Sequence, residues 1–111
     1  MINENDNNAR KTLFDHHKEL SQKAFDIMIL KNNDYASGDD PFANFRKGEM
    51  FKLCSTEAGI LLRITDKISR LSTFANAGKL SVKTESYEDA VLDIINYCVL
   101  FSAYVKSKNI H

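Results

Sequence analysis

Glu85-Ser-Tyr-Glu-Asp89-Ala-Val-Leu-Asp93-Ile-Ile-Asn-Tyr97-Cys-Val-Leu-Phe101-Ser-Ala-Tyr-Val105-Lys decides the fold, because it reads as one long helix with its acids gathered on one arc. A cap at Thr84 or Ser86 starts it near Glu85, and it runs to about Lys106. At about 100° per residue, Glu85, Asp89, Asp93 and Asn96 share that arc. Leu92 and Val99 flank the arc on one side and Tyr97 and Tyr104 on the other. Val91, Ile94, Ile95, Cys98 and Phe101 fill most of the remaining circumference. Acids framed in this way are not on an ordinary solvated face.

Two more long helices lie upstream. Ser55 is placed to cap one that reaches about Ala77, with Thr56 and Glu57 in its first turn and Gly78 as its stop. Ser-Val-Lys-Thr then forms the loop to the last helix. The first helix is expected from about Ala9 to Lys31, since Leu13, Leu20, Ala24, Ile27 and Met28, with Phe14 and Phe25, recur at three- and four-residue steps. Asn32-Asn33-Asp34 ends it, and Ser37-Gly38-Asp39-Asp40-Pro41 makes a loop. Phe42, Asn44, Phe45 and Arg46 follow in a short helical turn. Residues 1–8, polar and rich in Asn, are expected to be a disordered tail. The expectation is therefore an all-α fold of three long helices plus a short helical linker, with residues 9–108 as a single domain.

Composition narrows the function classes. Fifteen Lys plus Arg balance fifteen Asp plus Glu, for a formal net charge of zero, so no basic field draws the chain onto DNA. The uninterrupted apolar runs are far shorter than the roughly 20 residues that cross a bilayer. The opening residues do not read as a secretory signal, so a cytoplasmic, non-membrane protein is expected. Cys54 and Cys98 lack metal-ligand spacing and read as reduced thiols. Three helices make a thin core, which self-association enlarges. Phe101, Tyr104 and Val105 are candidates for such a homo-oligomer contact.

An acid flanked by apolar surface needs a cation, because an unpaired buried charge costs several kcal/mol or protonates. Asp89 and Asp93, one turn apart, repel each other unless a divalent ion takes oxygens from both, and Mg²⁺ or Mn²⁺ suits such ligands. Asp66 on the middle helix is a third ligand candidate. Arg63, Asp66 and Arg70 share one face of that helix, where the guanidinium groups can grip phosphate oxygens. Alternatively Arg63 or Arg70 neutralises the acids directly as an ion pair. Lys67 offers phosphate a point charge, and Glu57 is a weaker ligand better read as stabilising the helix dipole. In the linker, Tyr35 and Phe45 can stack a base, and Asn44 can read its edge, with Arg46 beside them. Core plugs and a turn residue are the plainer reading of the same side chains. His16 and His17 are adjacent on a helix and cannot chelate together.

Four ordered blocks carry a resemblance: Lys31-Asn-Asn-Asp-Tyr35, Asp40-Pro-Phe-Ala-Asn-Phe-Arg46, Gly59-Ile-Leu-Leu-Arg63-Ile-Thr-Asp66-Lys-Ile-Ser-Arg70 and Glu85-Ser-Tyr-Glu-Asp89-Ala-Val-Leu-Asp93-Ile-Ile-Asn-Tyr97. Together they resemble the nucleotide-modification-associated family of small phage and bacterial proteins. That family looks related to the all-alpha, MazG-like and dimeric dUTPase-like nucleoside triphosphate pyrophosphatases. The resemblance implies a helical, usually oligomeric bundle that binds Mg²⁺ and splits a nucleotide between its alpha and beta phosphates. Asp89 and Asp93 match the acidic pair on the later metal-binding helix of that superfamily. Its earlier Glu-x-x-Glu pair is not matched, since Glu57 is followed by Ile60.

Two functional expectations follow. In the first, Asp66, Asp89 and Asp93 hold metal and position water, while Arg63, Lys67 and Arg70 stabilise phosphate charge and Tyr35, Asn44, Phe45, Arg46, Asn96 and Tyr97 bind the rest of a nucleotide. In the second, the chain binds or sequesters a nucleotide without turning it over. A third possibility, a helical interaction module with the acids in salt bridges, needs no ligand.

Overall fold

The computed structural model describes residues 4–35, 40–80 and 86–109, and among these every long element is a helix. There are four: α1 (Glu4–Tyr35), α2 (Ala43–Met50), α3 (Thr56–Ala77) and α4 (Tyr87–Asn109). The expected three long helices and one short one are present. The boundaries of α3 follow local chemistry. Ser55 caps it by accepting from the Ala58 N–H at 3.1 Å, and Gly78 ends it in the left-handed conformation at φ 74°. Ser55→Ala is expected to lower stability by about 1 kcal/mol, read as a melting shift.

α1 is longer than the periodicity suggests, starting at Glu4 and running on to Tyr35. Residues 4–8, expected in the tail, are helical, because extending a nucleated helix adds one bond per residue fixed. Only its later half packs. Ala24 is buried and Leu20, Ile27 and Met28 are half-buried, whereas Leu13, Phe14 and Phe25 stay exposed. The helix outruns the body it leans on, and its outer residues 5–19 are exposed throughout.

α3 and α4 are antiparallel. Lys108 near the end of α4 pairs with Glu57 at the start of α3 at 2.8 Å, and Phe74 near the end of α3 meets Tyr87 at the start of α4 at 4.8 Å between ring centroids. The Lys108 ammonium holds the Glu57 carboxyl below the usual carboxylate range. α2 closes one end of this pair. Its entry is set by Asp40, whose carboxylate accepts from the Phe42 N–H at 3.0 Å and from Arg46 Nε at 2.7 Å. Thr56, fully buried, donates to Glu49 at 2.8 Å and ties α2 to α3.

The core is as thin as three helices imply. Phe42, Ile60 and Tyr104 form its buried centre, with Phe45, Tyr97, Leu100 and Phe101 packed around them. Phe42 and Tyr104 meet edge to face at 5.3 Å. Tyr104 is therefore a core residue, and Phe101, half-buried, flanks it. α4 has the length and mean hydropathy, 1.3 over its most apolar window, of a membrane-crossing helix. Its uninterrupted apolar runs are nevertheless short, because Asp93 and Asn96 divide them.

Candidate functional site

A pocket of about 460 Å³ opens where the four helices meet, within the size range of small-molecule sites. α1 contributes Met28, Lys31 and Asn32, and the α2 end contributes Pro41, Asn44, Phe45 and Lys47. α3 presents Arg63 and Lys67, one helical turn apart. α4 presents Asp93, Asn96, Tyr97 and Leu100.

Asp93 is the electrostatic centre of this pocket. It lies between two ammonium groups, Lys31 Nζ at 2.9 Å and Lys67 Nζ at 3.1 Å. Burial pushes its carboxyl up, but both lysines hydrogen-bond it and hold it below its ordinary value. The compensating cations expected from the apolar setting are thus present, though they are not Arg63 or Arg70. Arg63 makes no ion pair among the described residues. Arg63 lines the pocket together with Lys67.

The aromatic wall is made by Phe45 and Tyr97, edge to face with centroids 6.1 Å apart. Both also pack against the core, so the core-plug reading and the binding reading coincide in the same rings. Asn96 donates to the Ala24 carbonyl at 2.9 Å, which fastens α1 onto α4 and shapes the pocket edge.

The other expected site residues are elsewhere. Asp89 is engaged at the start of α4, where its carboxylate accepts from the Ser86 N–H at 3.3 Å and its own N–H donates to Ser86 Oγ at 3.2 Å. This is a capping box, and the spacing Ser86-x-x-Asp89 is the sequence signal that reveals it. Asp66 is largely exposed and lies 3.9 Å from Arg70, an ordinary surface pair one turn apart. Arg46 is held by Asp40 and lies over the rings of Phe42 and Tyr104 at 5.9 and 5.3 Å, which makes it a brace for the linker. Tyr35 ends α1, and its side chain, like Glu85 and Thr84, lies outside the described residues.

Asp66, Asp89 and Asp93 thus each have separate partners within the chain. Among the described residues no three His, Cys, Asp or Glu side chains form a metal-holding group. The charged lining residues not expected from the sequence are Lys31 and Lys47. Both lie on polar helix surfaces where a lysine normally signifies only solvation. No protein-family model, curated protein or solved structure matches the chain.

Proposed function

We propose that the chain binds a nucleotide in this pocket, the phosphate on Arg63 and the neighbouring lysines and the base against Phe45 and Tyr97. One observation carries the reading: Lys31, Lys47, Arg63 and Lys67 line a single pocket against one carboxylate, Asp93, with aromatic rings and the Asn44 amide alongside. Excess positive charge in a partly enclosed space selects an anion, and Arg with Lys suits phosphate oxygens. A flat wall of ring edges and an amide suits a base. The pocket also draws residues from all four sequence blocks that resemble the nucleotide-modification-associated proteins, which supports the same ligand class.

Hydrolysis with Mg²⁺ or Mn²⁺ is the second reading, favoured by Asp93 on the pocket wall. Binding without turnover fits better, since Asp66 and Asp89 have separate partners. A panel of nucleoside mono-, di- and triphosphates, melted with and without Mg²⁺, tests both. Nucleotides are expected to raise the melting temperature without metal and with no pyrophosphate release. If none of them shifts it, the reading fails. Metal-dependent pyrophosphate release, lost in Asp93→Asn, would select hydrolysis instead.

Asp93→Asn separates the readings further. Removing the one acid from an anion site is expected to tighten phosphate binding about 10-fold, equivalent to about 1.4 kcal/mol. The same change costs about 1 kcal/mol of stability at pH 7, because it breaks one contact to the mostly buried Lys67 and one to the half-exposed Lys31. A carboxyl held below its ordinary value of 3.8 stabilises the fold fully above that pH and ceases to as pH falls through the lower folded value. Wild type and Asp93→Asn are therefore expected to differ in urea unfolding at pH 7 and to converge as the pH drops below about 4.

A further inference from the structure

We infer that the turn between α2 and α3 seats on the surface of an anionic bilayer, with Met50, Phe51 and Leu53 entering the headgroup layer and Lys52 meeting the acidic headgroups. This goes beyond the nucleotide pocket and does not depend on it. Met50, Phe51 and Leu53 are 74%, 70% and 81% exposed, more than any other large apolar side chain among the described residues. Single apolar residues on a surface need no explanation. Three within four positions, at a turn on the end of a helical bundle, form a patch with a use.

The turn is built to hold those side chains outward. Four consecutive backbone N–H groups are satisfied within it: Phe51 donates to the Lys47 carbonyl at 3.0 Å, Lys52 to Glu49 at 3.0 Å, and Leu53 and Cys54 to Gly48 at 2.8 and 3.3 Å. Donors already bonded enter an apolar layer without the penalty of an unpaired amide. The chain also folds back closely on α2, since a Cβ at Gly48 would stand 2.8 Å from Cys54 Sγ. Lys52 sits in the left-handed region at φ 60°, a strained conformation for a residue with a side chain, which the surrounding bonds sustain. The fold therefore maintains strain at the point where it exposes its most apolar side chains to water.

Charge and area select the occupant. Among the described residues of α2, the turn, the start of α3 and the end of α4, Arg46 is paired with Asp40 and Lys108 with Glu57. Lys47, Lys52 and Lys106 remain against Glu49. Lysines beside exposed Phe, Met and Leu suit the boundary of an anionic membrane, where apolar groups sink among the acyl chains and ammonium groups stay with the headgroups. At these exposures the three side chains present on the order of 400 Å², half of the about 800 Å² per partner that a standard protein interface buries. A bilayer sets no such minimum, because side chains partition into it one by one. The attachment is shallow and salt-sensitive, with no helix crossing the membrane.

The chain contains no Trp, so Phe51→Trp supplies a single fluorescent reporter. On vesicles of equal parts phosphatidylcholine and phosphatidylserine its emission is expected to shift to the blue and to be quenched by brominated lipid. The wild-type chain is expected to cosediment with these vesicles and to bind phosphatidylcholine alone at least about 10-fold more weakly. Phe51→Ser with Leu53→Ser is expected to weaken binding at least about 10-fold, with the melting temperature unchanged because both side chains are exposed. Lys52→Glu is expected to weaken binding to the mixed vesicles and not to phosphatidylcholine. No cosedimentation with the mixed vesicles, an emission that does not shift, binding indifferent to Phe51→Ser with Leu53→Ser, or self-association in solution that the same pair abolishes would each overturn the inference.

Discussion

Arg63→Ala combined with Lys67→Ala is expected to weaken nucleotide binding about 100-fold, since each removes a charge-assisted contact of about 1.4 kcal/mol or more. Arg63 has no ion pair among the described residues and is exposed, so Arg63→Ala alone should leave the melting temperature of the free protein nearly unchanged. Lys67 shares Asp93 with Lys31, so its loss leaves the carboxylate one cation. The effect should thus appear in calorimetric affinity far more than in stability. Raising salt should weaken wild-type binding and reduce its difference from the double variant, because the removed contacts are electrostatic. Affinity that is unchanged in the double variant would mean that phosphate binds elsewhere or not at all.

Ile60→Ala is expected to have the largest effect on the fold, a loss of about 3 kcal/mol. Ile60 is fully buried at the centre of the cluster that joins α2, α3 and α4 through Phe42 and Tyr104. In a core this small no neighbouring layer can collapse into the space. Against a total of about 5–15 kcal/mol, such a loss should lower the melting temperature on the order of 10 °C or more. Ile60→Val, which removes one methyl group, should cost about 1 kcal/mol. A drop of only a degree or two for Ile60→Ala, measured by thermal unfolding, would show that the centre of stability lies in another contact or in an interface between copies.

Much of the chain's local form is legible in its residues. The start of α3 at Thr56 and its end before Gly78 follow from capping chemistry that acts within four residues. The antiparallel pairing of α3 and α4 follows from the short connection between them. The need of Asp93 for cations is legible, because its apolar neighbours are visible on a helical wheel, and Lys31 and Lys67 meet it. Asp89 shares the same arc. Its engagement with Ser86 is a local alternative that the wheel, which shows only direction around the axis, does not display. Likewise Arg46 and Phe45 are neighbours in sequence, yet the fold uses one to brace the linker and the other to wall the pocket.

By itself the sequence determined the number and order of the helices, the caps of α3, the thinness of the core and the demand of Asp93 for positive company, because each of these depends on periodicity or on contacts within one or two turns. Only the tertiary structure decided which cations answer that demand. Lys31 reaches Asp93 across 62 residues, and its arrival depends on how α1 crosses α4, where Asn96 holds the Ala24 carbonyl. The pocket exists only where those helices meet, since the angle at which one helix lies on another is set by side-chain interlocking between them and not by the period of either.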